Sequence, residues 1–104
     1  MAHLSWQRGP TTGFTVAADI FPLTELTPHP RGVIEYEVLV TDAELLEAHV
    51  GTSHRFIVGD RVGPFLAKIG PLMQVTSTHA GLGLMRGEPT LRGRLEIIDP
   101  EAAT

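Results

Sequence analysis

Apolar and polar residues alternate along three stretches of the chain. Phe14, Val16, Ala18 and Ile20 fall on one side of the run Phe14 to Phe21, and Thr15, Ala17 and Asp19 on the other. A period of two is that of a strand with one face buried. Val33 to Val40 alternates likewise, with Ile34, Tyr36, Val38 and Val40 inward and Glu35 and Glu37 in water. From Leu91 to Ile98, Leu91, Gly93, Leu95 and Ile97 share one face while Arg92, Arg94 and Glu96 share the other. A glycine inside such a strand marks a bulge or a close approach.

Between these runs the period changes. Thr41-Asp42-Ala43-Glu44 fits a capping box, and Leu45, Leu46, His49 and Val50 follow at helical spacing before Gly51. The pattern predicts one short helix over 42–50, too short to stand without a sheet beneath its leucines. His54 to Val58 reads as a strand ending in a Gly59-Asp60 turn, and Leu72 to Thr78 as another. Residues 64–69 fit either a helical turn framed by Pro64 and Gly70 or a short apolar strand. Leu82 to Met85 and Leu91 to Ile98, joined through Gly87-Glu88-Pro89, read as a terminal hairpin. About six short strands with turn signals between them indicate a mainly β protein, a small antiparallel β-barrel with one short helix. Residues 1–12 read as a flexible leader, 13–99 as a single barrel domain and 100–104 as a frayed tail.

Composition narrows the chemistry. The 104 residues suffice for one core and not for two, and with no cysteine there is no disulfide, thiolate metal site or cysteine nucleophile. No apolar run approaches the ~20 residues of a membrane-spanning helix. The N-terminus lacks a basic segment followed by an apolar one, so the expected location is the cytoplasm, with no membrane partner. The net charge of −4 is unevenly placed. In residues 1–53, Arg8 and Arg31 face seven carboxylates, whereas residues 54–94 carry Arg55, Arg61, Lys68, Arg86, Arg92 and Arg94 against Asp60 and Glu88. Either the two halves neutralise one another across the sheet, or the six basic residues form a surface for an anion or a partner.

Candidate reactive groups are sparse. His49 and His54 lie close in sequence across the helix end, but no acidic residue completes a metal-ligand pattern with them. The plainer reading of His49 is a residue near a helix C-terminus. His3, His29 and His79 fall in the leader, a proline loop and a turn. Ser5, Ser53 and Ser77 lie in no nucleophile elbow, and no phosphate-binding glycine loop is present. Glu35 and Glu37 have the spacing of paired carboxylates and equally of an ordinary wet strand face. Tyr36, His49 and His54 are the polar handles available to a pocket inside the barrel. Nothing implies a cofactor or a metal.

Arg86, Gly87, Thr90, Leu91 and Gly93 carry a resemblance. Their arrangement resembles the closing hairpin of the C-terminal β-barrel of elongation factor Tu-like translation GTPases, and Gly59-Asp60 resembles a turn upstream in that barrel. The likeness spans residues 54–98; the helix expected at 42–50 departs from an all-strand barrel. It implies a barrel that binds a partner macromolecule without nucleotide chemistry.

The expectation is therefore a non-enzymatic β-barrel that mediates protein–protein association, by self-association or with another protein through an exposed strand such as 72–78. One alternative is binding of RNA or another polyanion by the basic segment 54–94, against which the overall acidity stands. The other is a small-molecule barrel or small enzyme using His49, His54 or Tyr36.

Overall fold

A computed structural model describes residues 2–7, 15–77 and 87–100. Seven strands and one helix follow in order: β1 (Ala2–Gln7), β2 (Thr15–Pro22), β3 (Val33–Val38), α1 (Val40–Glu47), β4 (Ser53–Val58), β5 (Val62–Ile69), β6 (Met73–Thr76) and β7 (Pro89–Asp99). All pairings are antiparallel, in the order β3-β2-β1-β4-β5-β7-β6, and β3 also pairs with β7. That last pairing closes a six-stranded barrel and leaves β6 outside the circuit. The fourth strand returns to lie beside the first, which is a Greek key.

Period-two patterning sets the core. Leu4 and Trp6 on β1, Val16, Ala18 and Ile20 on β2, and Ile34, Tyr36 and Val38 on β3 are buried, as are Phe56, Val58, Phe65, Ala67, Ile69 and Leu95. Trp6, Phe56 and Phe65 occupy opposed positions across three neighbouring strands. Phe56 stacks on Phe65 with centroids 5.9 Å apart, and Trp6 meets Phe56 at 5.5 Å with its ring tilted by 44°. α1 buries Ala43 and Leu46 against this core. The Asp42 carboxylate accepts from the Asp19 backbone N–H at 3.3 Å and ties the helix to β2.

Several expectations change. Residues 2–7 are not leader but β1, held between β2 and β4. The helix begins at Val40 and has no side-chain cap, because Leu39 occupies the cap position and Thr41 already lies in the first turn. Val40 is consequently exposed rather than inward, and His49 and Val50 fall beyond the helix end, in turns that run to a left-handed Gly51. The ambiguous segment 64–69 is strand, paired to β4 and β7.

β5 and β6 run one after the other along the same edge of β7, Ile69 opposite Leu95 and Met73 opposite Arg92. The described hairpin partner of β7 is thus β6; residues 82–85 of the expected hairpin lie outside the described residues, as do Phe14, His79 and the tail from 101.

Candidate functional site

Alternation along β7 places Arg92, Arg94 and Glu96 on the outer face, as the sequence pattern requires. Each stands opposite a residue of another strand: Arg94 opposite Glu35, Arg92 opposite Glu37, and Glu96 opposite Lys68. Directly opposed residues of an antiparallel pair share a face, with Cβ atoms about 5 Å apart. Three of the candidate basic residues therefore face carboxylates across the sheet. Arg55 lies between Gln7 and Leu66, and Arg61 sits in the β4–β5 turn. Arg86 lies outside the described residues. Positive charge on this surface is interleaved with negative charge rather than massed.

The two glutamates of β3 differ in a way the alternation does not announce. Glu35 is exposed, and its backbone N–H donates to the Thr24 hydroxyl at 2.8 Å. Glu37, expected in water, is fully buried. Thr90, also fully buried, donates its hydroxyl to the Glu37 Oε1 at 3.2 Å. The outer face of the barrel is thus covered at the β3–β7 seam, and a carboxylate is retained there with a hydroxyl donor. The spacing of 35 and 37 could not reveal this, since burial on an outer face depends on what packs over it.

His49 and His54 do come together. Their ring centroids are 5.8 Å apart, edge to face, just past the end of α1 and at the start of β4. Thr52 links them: its hydroxyl donates to the His49 carbonyl at 2.5 Å and lies 2.7 Å from His54 Nε2. The Thr52 hydroxyl thus ties the turn after α1 to the start of β4 through both histidines. Among the described residues no group of three or more His, Asp or Glu is placed to hold a metal ion. Tyr36, the third pocket candidate, belongs elsewhere. It is buried opposite Gly93, its hydroxyl has no hydrogen-bond partner among the described residues, and burial pushes the phenol pKa up.

His3, expected in a leader, is opposed to Asp19 across β1 and β2, with Nδ1 2.9 Å from Oδ1. Both are half-exposed, so the pair contributes little. Its signal was the alternation His3, Ser5, Gln7 against Leu4 and Trp6.

β6 is the remaining feature. It ends the strand order, so among the described residues its far edge pairs with nothing. Met-Gln-Val-Thr carries no charge and no proline, and Met73 is 67% exposed. The register fixes which backbone groups point outward. Ser77 N–H donates to Glu88 C=O at 2.8 Å, so positions 77, 75 and 73 bond to β7. The alternation of antiparallel pairing then leaves the N–H and C=O of Gln74 and Thr76 facing outward. Pro89 agrees with this register: it sits opposite Thr76, at a position that donates nothing to β6.

No family model, no curated protein and no solved structure matches this chain. No helix among the described residues is long and apolar enough to cross a membrane.

Proposed function

We propose that the protein is a non-catalytic β-barrel that associates with other protein through the outer edge of β6, which pairs with nothing among the described residues. The observation that carries the reading is an uncharged, proline-free edge strand with a two-thirds exposed methionine. Edge strands are ordinarily guarded by charge, proline or a covering segment, because their unpaired N–H and C=O groups recruit further strands. An edge without charge or proline suits β-strand addition, where main-chain hydrogen bonds supply affinity and alternate side chains supply selectivity. The resemblance of residues 54–98 to a translation-factor barrel supports the same direction, since that likeness implies binding of a macromolecule.

Gln74→Pro tests the reading, because it deletes an outward N–H while the bonds to β7 at 73 and 75 remain. Affinity capture with quantitative mass spectrometry, together with sedimentation, should show association by the parent protein and its loss in the variant, whose circular dichroism is unchanged. A parent protein that is strictly monomeric and retains no partner overturns the proposal.

A further inference from the structure

We infer that Met73 is a sulfoxidation site and that Arg92 is the donor that holds the oxygen it gains. This stands apart from the association reading, which concerns the backbone edge of β6 rather than the side chains on its face. Met73 is 67% exposed, so a peroxide reaches its sulfur from solvent. It stands directly opposite Arg92. Opposed residues of an antiparallel pair share a face, with Cβ atoms about 5 Å apart. Sulfur lies one methylene beyond Cβ in methionine, and Nε lies two beyond it in arginine, so each is within side-chain reach of the other.

Arg92 supplies the second observation. Its Nε is buried and has no hydrogen-bond partner among the described residues. A buried donor without an acceptor costs free energy. On its β3 side stands Glu37, whose Oε1 takes the Thr90 hydroxyl; on its β6 side stands the thioether, a weak acceptor. A sulfoxide oxygen is a far stronger acceptor for a cationic N–H.

The oxidant is a hydroperoxide. A sulfur lone pair attacks one peroxide oxygen, and the S–O bond forms as the O–O bond breaks. The displaced hydroxide takes the proton of the transferred hydroxyl and leaves as water. Sulfur is oxidised from thioether to sulfoxide, and the peroxide is reduced. In a core this change disrupts packing. Here it supplies the acceptor that Arg92 lacks, so the oxidised β6 is held to β7 more firmly than the reduced strand.

Met85→Leu leaves Met73 as the methionine to be read beyond the first residue. In that background hydrogen peroxide should oxidise Met73 about as fast as free methionine, followed by peptide mass mapping. On oxidation the Arg92 Nε–H resonance should move downfield and exchange more slowly with solvent. Urea denaturation should show the folding equilibrium constant rising about tenfold. Arg92→Lys keeps a positive charge opposite Glu37 but removes the Nε–H, and oxidation should then give no such rise. A Met73 that resists peroxide, an Nε–H resonance that does not respond, or the same stability change with and without Arg92 each overturns the inference. Should Arg92→Lys fail to fold, the resonance decides alone.

Discussion

The phenol of Tyr36 occupies the space that a side chain at Gly93 would need. A Cβ built on Gly93 would stand 2.5 Å from the Tyr36 hydroxyl oxygen, 2.6 Å from Cζ and 2.7 Å from Leu72 Cδ2. The two residues are directly opposed across the seam that closes the barrel. Glycine in this strand therefore serves neither a turn nor a bulge: its backbone is extended, and its missing side chain is filled from the neighbouring strand. Gly93→Ala should lower unfolding free energy by about 1–3 kcal/mol through overpacking, measured by urea denaturation. Combined with Tyr36→Phe the loss should shrink but not vanish, because the Cζ contact remains after the hydroxyl is gone. Full additivity of the two changes would refute the contact.

Tyr36→Phe alone should stabilise the protein by about 1 kcal/mol near neutral pH, since it removes a buried hydroxyl that has no partner among the described residues. The effect should grow in alkali. Burial raises the folded-state phenol pKa above its ordinary 10.0, so stability from this group is complete below pH 10 and is lost as pH climbs from there toward the folded value. Tyr36 is the single tyrosine. Phenolate absorbance should therefore appear only with unfolding, and the variant should show a flatter alkaline limb; a phenolate signal from folded protein near pH 10 would contradict the burial.

Thr90→Val keeps shape and removes the hydroxyl that donates to the Glu37 Oε1. Loss of a donor to a buried carboxylate should lower stability by about 1–3 kcal/mol. Chemical denaturation of the purified variant measures this. A neutral result would mean that Glu37 is held without Thr90.

The opposed charges of β3, β5 and β7 bear on the polyanion alternative. The parent protein should show no salt-sensitive retention on poly(U) at physiological ionic strength, because Arg94 and Lys68 face Glu35 and Glu96. Glu35→Lys with Glu96→Lys should create such retention, and added salt should abolish it by counterion release. Steep salt-dependent binding by the parent protein would instead support the polyanion reading.

The alternation of β2, β3 and β7 makes the barrel legible in the sequence, because the period of a half-buried strand is a local property. β1 was equally alternating, but its brevity and the Gly9-Pro10 that follows made it look like a leader. Its place depends on β4, about fifty residues away in sequence, which no local pattern reports. The helix start is not legible because Thr41 and Glu44 have the chemistry of a cap, whereas the helix, which buries Ala43 and Leu46, begins two residues earlier. For the candidate site, the polar β-formers of 72–78 mark an exposed strand, of which Met73–Thr76 forms β6 and Thr78 lies outside the described residues. Which of its amides point outward is not legible there, since that follows from the register with β7.

The seam between β3 and β7 joins residues 33–38 to residues 91–96. A ribosome still short of Leu91 therefore holds a growing polypeptide whose first three strands can form a meander but whose Ile34, Tyr36 and Val38 lack their lid. Such distant closure makes folding slow relative to local hairpin formation. Translation must run nearly to Asp99 before the nascent molecule can hide its greasy interior, and that interval is when chaperones have most to guard.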